Sequence, residues 1–279
     1  MRLAARLAGL TLPALLLAVP AAAQEGGPPA GGKYGPDRVT VGLGGGIAPG
    51  YSGSDDYEFQ PGGIVQGTVS GFNFAMRGTN LYVDLLREER GAGLDVIAGP
   101  VLQVRLERNG TVKDPRVAAL GTRSAAFEAG GYFGVGKRGV LSRRDEVSAD
   151  VTLVHDVGSV HKSYVIRPSI GYQTPIGNRT FTQLRASADF VGKGFARTYY
   201  DVPAGTLLPA YSTGSGGLES VGLTALATHA LGSDARRGWS LFALGGWSRI
   251  TGKFARSPIV SVAGDADQFR LIGGLGYTF

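Results

Sequence analysis

The sequence predicts an all-β fold: a closed, antiparallel transmembrane β-barrel of about twelve strands. Three observations support this prediction. Apolar and polar residues alternate in one segment after another, glycine supplies 46 of the 279 residues, and the final segment, residues 267–279, carries a regular apolar stripe that ends on an aromatic. Glycine at this density disfavours helices, at a cost of about 1 kcal/mol per position relative to alanine.

The first part of the chain has the features of an exported protein. A short basic region precedes an apolar stretch, residues 7–19, that is too brief to span a bilayer, and small residues follow it. This order predicts a cleaved signal peptide over 1–23, a flexible Gly/Pro-rich segment over 24–36 and a single barrel domain over 37–279. An exported barrel is expected in the outer membrane of a Gram-negative bacterium.

Strands are predicted wherever apolar residues recur at every second position, because side chains alternate between the two faces of a strand. In residues 92–108, Leu94 and Leu102 share one face, whereas Asp95 and Arg105 share the other. The predicted strands are 38–49, 63–76, 80–87, 92–108, 126–137, 146–156, 163–174, 181–191, 194–202, 219–231, 239–250 and 267–279.

An amphipathic sheet can cover a soluble core or face lipid, and three features favour lipid. Charged residues lie in mid-strand on the polar face, which suits a hydrated lumen. Aromatic residues collect near strand ends, as the girdles of a membrane barrel do; they are Tyr51, Tyr199, Tyr200, Trp239, Trp247, Tyr277 and Phe279. Long connections near 50–61, 203–217 and 252–266 alternate with short ones near 77–79 and 192–193.

The last segment is expected to be the closing strand, which pairs with the first so that no open edge meets lipid. Phe279 would then lie at the membrane interface, and it is the candidate terminal residue for barrel assembly. One connection breaks the pattern of loop lengths. Residues 109–125 are long and fall on the short-turn side of the predicted barrel, and we expect a brief helix within them.

Composition excludes several functions. The chain has no cysteine and only three histidines, so neither a metal site nor a cofactor is expected. A formal charge of +6 is modest and requires no nucleic-acid partner. The best catalytic candidate is His155-Asp156 with a serine such as Ser148 or Ser159. His155 and Ser148 have opposite parity and His155 lies where its strand leaves the membrane, so no catalytic residues are predicted. His155 and His229 are expected at the interface, and His161 in a solvated turn.

The polar-face charges form the main candidate site, a lumen charge network. Its members are Asp84, Asp95, Arg105, Glu128, Asp150, Arg167, Arg185, Asp189 and Arg270. One hypothesis is a selective pore, in which inward charge acts on a passing solute. The alternative is a filled lumen, in which opposite charges neutralise one another, and the near balance of signs favours it.

Two loops are candidates for recognition. Residues 52–60 are acidic and aromatic, and a solvated acidic loop is the favoured interpretation over a cation site. Residues 109–125 form the candidate periplasmic interaction loop, since a scaffold for periplasmic enzymes needs a surface on that side. Its charged members are Lys113, Asp114, Arg116 and Arg123.

Three short motifs carry a family resemblance. PGYSGS at 49–54, SPIV at 257–260 and GLGYTF at 274–279 resemble, in order and position, the MipA/OmpV family of Gram-negative outer-membrane proteins. The glycine-heavy GLGGGIAPG at 42–50 and the long Pro/Gly-rich segment before it depart from the family pattern.

The resemblance implies a non-enzymatic barrel that contacts outer-membrane lipid. Some members are described as scaffolds that link a lytic transglycosylase to a penicillin-binding protein in murein synthesis. Those two enzymes are therefore the implied partners. Other members are described as porin-like or adhesive, so a channel for small solutes and a surface adhesin are the alternatives.

Overall fold

The computed structural model describes residues 37–87, 94–234 and 237–279. The predicted signal peptide and the segment 24–36 lie outside these residues. The strands of the described chain are β1 (Arg38–Pro49), β2 (Tyr57–Val69), β3 (Phe72–Arg77), β4 (Asn80–Val83), β5 (Leu94–Arg105), β6 (Ala126–Arg138), β7 (Glu146–Asp156), β8 (Tyr164–Ile176), β9 (Thr180–Val191), β10 (Gly217–Ala230), β11 (Gly238–Ile250) and β12 (Asp267–Thr278). Its helices are α1 (Pro115–Ala118), α2 (Lys193–Tyr200), α3 (Gly252–Ala255) and α4 (Pro258–Ser261).

The first and last strands pair with each other, so the sheet closes into an antiparallel barrel in which every other strand pairs with its neighbours in sequence. Thr40 lies opposite Thr278 in the β1–β12 register, and their hydroxyls are 2.8 Å apart. The Phe279 amide donates to the Val39 carbonyl at 2.9 Å. The prediction of a closed antiparallel barrel with 267–279 as its last strand is confirmed.

Two strands differ from those predicted. Residues 63–76 do not form one strand, because the chain reverses at Ser70 and Gly71, whose positive φ angles of 53° and 84° make a tight turn between β2 and β3. Residues 194–202 do not form a strand, since most of them belong to α2. The predicted number of about twelve strands is confirmed, but only because two errors cancel. The segment 63–76 holds two strands instead of one, and the segment 194–202 holds a helix instead of a strand. Among the described residues, no helix has the length and apolar character needed to cross a bilayer.

Strand direction alternates around the barrel, so the connections fall at two ends. The turn end holds the start of β1, the end of β10, the start of β11, the end of β12 and the connections 70–71, 139–145 and 177–179. The loop end holds the longer connections 50–56, 106–125, 157–163, 192–216 and 251–266.

The predicted position of residues 109–125 on the short-turn side is therefore wrong. Because of the unrecognised turn at Ser70–Gly71, every strand from β4 to β9 runs opposite to its predicted direction. The predicted strand 194–202 is mostly the helix α2, and this second error returns the later strands to their predicted direction. The short connection expected near 192–193 is wrong for the same reason, because it is the start of a long segment at the loop end. The brief helix expected within 109–125 is present as α1.

The two faces of the sheet separate apolar from polar side chains as the alternation predicts. Outward-facing Leu43, Phe59 and Leu102 are 77%, 74% and 55% exposed. The ambiguous segment 239–250 follows the same rule, since Trp239 and Leu241 face outward and Phe242 is buried inside the barrel. A closed sheet with an apolar exterior satisfies its backbone hydrogen bonds internally, as a membrane span requires.

Glycine at the β1–β12 seam is required by close approach of the two backbones. A Cβ atom at Gly46 would lie 1.8 Å from the Leu271 carbonyl oxygen, and one at Gly44 would lie 2.1 Å from that of Gly273. At Gly44 and Gly46, glycine in β1 is thus a consequence of this close backbone approach at the seam.

Aromatic rings form girdles at both ends of the outer wall. At the turn end, Trp239 contacts Tyr277 and Tyr277 contacts Phe279, with ring centroids 5.2 and 4.8 Å apart. At the loop end, the Trp247 indole donates to Asp267 at 3.0 Å. Phe279 is 63% exposed. The assignment of Tyr51, Tyr199 and Tyr200 to these girdles is wrong, because all of them are buried inside the loop end.

Candidate functional site: the capped lumen

The helix α2 closes the barrel at the loop end. It enters the mouth directly after β9, and it buries Phe195, Ala196, Tyr199 and Tyr200 to 5% exposure or less. These side chains pack with inward-facing strand residues and with residues of the 251–266 segment; the partners are Val101, Val154, Val165, Val191, Ile250, Phe254 and Val260. We call α2 and the loop-end residues packed around it the cap.

A second apolar cluster is formed by residues from four of the loop-end segments. It contains Tyr51, Val117, Val202, Leu208, Ile259 and Ala263. The segment 106–125 contributes Val117 from α1, whose N-terminus is capped by the Asp114 carboxylate. Glu107 accepts hydrogen bonds from the amide and the hydroxyl of Ser52, both at 2.7 Å. Loops from distant parts of the chain therefore form one layer.

Charged and phenolic groups are also buried in this layer. Arg108 is 2% exposed and donates to the carbonyl oxygens of Thr198 and Tyr199 at 3.1 and 3.4 Å. Burial lowers the pKa of Arg108 to about 10, so the guanidinium remains charged at neutral pH. Burial also raises the pKa of Tyr51 to about 12, so its phenol remains neutral. The carbonyl oxygens of Thr198 and Tyr199 in α2 are thus the acceptors for the buried Arg108 guanidinium.

The charged residues of the predicted interaction loop contact other residues of the loop end. Lys113 donates to the Tyr57 carbonyl at 2.9 Å, and Arg123 donates to the Thr198 carbonyl at 3.2 Å. Arg116 and Asp114 form an ion pair at 2.5 Å. These groups stabilise the loop layer at the end opposite to the start of β1 and the end of β12. The periplasmic contact was predicted at the other end.

Inside the barrel, Arg105, Glu128 and His161 form a buried triad beneath the cap. Arg105 donates to both Glu128 oxygens at 2.8 and 3.2 Å, and His161 Nε2 lies 2.8 Å from Glu128 Oε1. The side chains of Glu128 and His161 are fully buried, and that of Arg105 is 11% exposed. The Arg105 guanidinium lies over the Phe195 ring, 4.8 Å from its centroid. The triad therefore links β5, β6 and the 157–163 loop to α2.

Two further ion pairs join strands within the lumen, one between adjacent strands and one across an intervening strand. Arg167 on β8 donates to both oxygens of Asp189 on β9, each at 2.6 Å. Arg185 on β9 donates to Asp150 on β7 at 2.6 Å, and the Ser169 hydroxyl between them donates to the same carboxylate. Paired geometry of this kind neutralises interior charge and fixes strand register.

The remaining members of the predicted network are not brought together. Asp84 accepts backbone hydrogen bonds from Leu86 and Ala98 at 3.0 and 3.1 Å. Arg270 and Asp95 make no ion pair within the described chain, and Arg270 is exposed to the lumen opposite Gly246. The structure thus forms three arginine–carboxylate pairs from the predicted set and leaves three residues outside them.

The lumen has two halves that differ in accessibility. Inward-facing residues next to the cap are buried, among them Val101, Gln103, Thr152, Val165 and Gln268. Inward-facing residues nearer the turn end are at least partly exposed, among them Gln66, Asp95, Ser148, Gln183 and Thr224. Within the described residues, the barrel is therefore a cup that is closed at the loop end.

Two buried polar contacts were missed in the sequence. His161 was expected to be solvated, but it is 2% exposed. The reason is that Asp156 accepts the amide hydrogens of Gly158, His161 and Lys162, and this folds the turn back into the mouth. An aspartate at a strand end followed by glycine is the signal that could have indicated such a turn.

The second missed contact joins α2 to β10, where the Tyr200 hydroxyl donates to Glu219. Glu219 is an extra residue at a β-bulge between Leu218 and Ser220. A bulge re-aims one side chain, and strict alternation cannot show it.

The possible catalytic pair is separated by the wall of the barrel. His155 is exposed on the outer face and its Nδ1 lies 3.0 Å from the Asp156 carbonyl oxygen, whereas Ser148 faces the lumen. Among the described residues, no three His, Asp or Glu side chains converge in a way that could hold a metal ion.

A closed antiparallel barrel with an apolar exterior and a charged, capped interior defines a transmembrane β-barrel protein. The family model described as MltA-interacting protein MipA matches residues 41–279, and the chain belongs to this family. Among curated proteins, none matches the chain.

Solved outer-membrane proteins show a distant likeness. A Pseudomonas aeruginosa FadL homologue is 10% identical, with a TM-score of 0.35 over 87% of this chain and 88% of that one. OprD of Pseudomonas aeruginosa is 12% identical, with a TM-score of 0.26 over 90% and 97%. OmpT of Vibrio cholerae is 11% identical, with a TM-score of 0.25 over 87% and 96%. At these values the likeness carries no information about what the chain binds.

Proposed function

We propose that this protein is a non-enzymatic outer-membrane barrel that acts as a scaffold for periplasmic murein enzymes, with a lytic transglycosylase as its direct partner. The observation that carries the proposal is membership of the MltA-interacting protein family over nearly the whole barrel. A penicillin-binding protein is the second enzyme that such a scaffold would hold.

The cap supports a scaffold over a pore. The side chains of α2 fill the mouth, and Phe195, Tyr199 and Tyr200 are each 5% exposed or less. The three arginine–carboxylate pairs of the lumen act in this proposal as structural contacts that hold the strands and the cap, since breaking a buried ion pair is costly. Periplasmic partners would then meet the turn end, where a barrel of this type has its periplasmic side.

The direct test is binding of the whole processed chain to the lytic transglycosylase of the same bacterium. The barrel is placed in lipid nanodiscs, and the enzyme is added in solution. We expect a dissociation constant of about 1 µM or tighter, which corresponds to about 8 kcal/mol. An unrelated barrel of similar size in the same nanodiscs is the control. Binding no stronger than to that control would refute the scaffold.

A small-solute channel is the second candidate, and the accessible charged half of the lumen favours it. Planar-bilayer recording of the purified chain tests it. Stable conductance steps would support the channel, whereas an electrically silent barrel that binds the enzyme would support the scaffold.

A further inference from the structure

The connection between β6 and β7, residues 139–145, differs from the other described turns at the turn end. It places two apolar side chains in solvent, since Leu141 is 76% exposed and Val140 is 44% exposed. The outward-facing lysine at the end of β6, Lys137, marks the edge of the apolar band, and the turn lies beyond it. These apolar residues therefore stand outside the lipid-facing wall of the barrel.

Cations surround this apolar pair. Arg143 and Arg144 follow it in the same turn, and Arg179 is exposed in the neighbouring turn between β8 and β9. Arg143 and Arg179 form no ion pair or side-chain hydrogen bond with any described residue. We call Arg138, Val140, Leu141, Arg143, Arg144 and Arg179 the turn-end surface.

The acidic residues beside this surface do not neutralise it. Asp145 is 1% exposed and accepts the amide hydrogens of Val140, Leu141 and Ser142 at 2.8 to 2.9 Å. Glu146 is occupied by an ion pair with Arg138 at 3.2 Å. Arg143, Arg144 and Arg179 therefore leave an excess of positive charge on the two turns.

The turn is held in one conformation before any partner arrives. Burial opposes ionisation of Asp145, but the hydrogen bonds from Leu141, Val140 and Ser142 prevail and hold the pKa of Asp145 below its usual value. Arg144 donates to the Gly177 carbonyl at 3.2 Å and so fixes one turn against the next. Preorganised surfaces lose little entropy on binding.

A shallow depression of about 190 Å³ lies on this surface. Arg138, Arg143 and Arg144 line it together with Gln173 and Phe181, and the carboxylates of Asp145 and Glu146 form part of its wall. Guanidinium groups arranged in this way suit a carboxylate, which they can bind by paired hydrogen bonds.

The geometry points to the turn-end surface as the docking site of an acidic patch on a periplasmic protein, with Leu141 as the apolar anchor and the arginines as its charged rim. This inference rests on the proposed scaffold function and names the surface through which it operates. It replaces residues 109–125, which lie at the opposite end. A central apolar anchor within a polar rim is the usual arrangement of a protein interface.

The test compares two charge-matched variants of the whole processed chain in nanodiscs. Arg143→Glu/Arg179→Glu reverses two cations at the turn end, and Lys193→Glu/Arg256→Glu makes the same change at the loop end. All of these side chains are exposed, so both variants should fold, which heat-modifiable migration in gels and circular dichroism would verify. The probe is the lytic transglycosylase used above.

We expect the turn-end variant to bind the enzyme at least about tenfold more weakly, with a shallower salt dependence, because rim charges set steering and complementarity. The loop-end variant should bind within about twofold of the wild type. Leu141→Ser should weaken binding by about three- to tenfold while leaving the salt dependence unchanged.

The outcomes separate this inference from the proposed function. If the wild type binds and the turn-end variant binds equally well, the inference is wrong and the scaffold stands. If the turn-end variant binds the enzyme normally but associates less with vesicles containing phosphatidylglycerol, the arginines contact lipid headgroups and the inference is also wrong. If the wild type does not bind the enzyme, both proposals fail.

Discussion

The buried triad gives the sharpest test of how the barrel holds its cap. In Glu128→Gln, the side chain keeps its shape and one carbonyl oxygen but loses its charge. Arg105 then remains buried without a counter-ion, and two of its hydrogen bonds, at 2.8 and 3.2 Å, are weakened. Hydrogen bonds to charged groups contribute about 1.5–3 kcal/mol each, and breaking a buried ion pair costs about 3–5 kcal/mol. Since one acceptor survives, we expect a loss of about 3 kcal/mol.

The assay is urea unfolding of the barrel in lipid vesicles, followed by circular dichroism, with the free energy of unfolding obtained by linear extrapolation. Asp267→Asn is the matched control, because it removes one charge from the pair with Arg249 at the outer rim, where the side chains are 30% and 55% exposed. The control should lose less than about 1 kcal/mol. A Glu128→Gln barrel within about 1 kcal/mol of the wild type would show that the triad does not stabilise the cap.

Four further outcomes follow from the fold. Gly46→Ala should sharply reduce the yield of folded barrel on gels, whereas Gly245→Ala, whose Cβ would meet open space, should not; equal yields would contradict the close approach at the seam. Phe195→Ala should cost about 3–5 kcal/mol and produce current events in planar bilayers that the wild type lacks; a silent variant would mean that α2 is not the closure. The pKa of Asp145 is lowered, so its contribution to the turn is complete at neutral pH and is lost as the pH falls through that lowered value, below the ordinary value of about 3.9; amide exchange of residues 140–142 should therefore accelerate at acid pH, and Asp145→Asn should remove that dependence. Phe279→Ala should slow insertion into vesicles without altering the final fold, and an unchanged rate would exclude an assembly role.

The alternation of side chains was enough to predict the barrel, since strands that face lipid on one side must repeat every second residue. It showed connectivity less clearly. The reversal at Ser70–Gly71 is marked only by a change of apolar parity, from Val65 and Val69 before the turn to Phe72 and Phe74 after it, and that change was missed. The direction of the strands and the position of residues 109–125 depended on that one turn.

The site was predictable only where both members of a pair lie on strands with a clear inward parity. Arg167 and Asp189 lie on adjacent strands, which place such side chains within reach, whereas Arg185 on β9 reaches Asp150 on β7 across β8. His161 and Tyr200 are different, since their contacts depend on how loops fold back into the mouth. The stretch around Phe195 and Tyr199 also satisfies a helical spacing, and only the cavity inside the barrel decides between strand and helix.

The seam between β1 and β12 has a consequence for where molecules can enter or leave. Glycine leaves this stretch of wall with few side chains, but hydrogen bonds stabilise both of its ends. The paired threonine hydroxyls fasten one extremity, and at the other Gln268 contacts the backbone of Gly53 and Ser54 at 3.1 Å. We therefore expect this wall to stay shut toward the bilayer, so that anything admitted to the interior departs by the route through which it came.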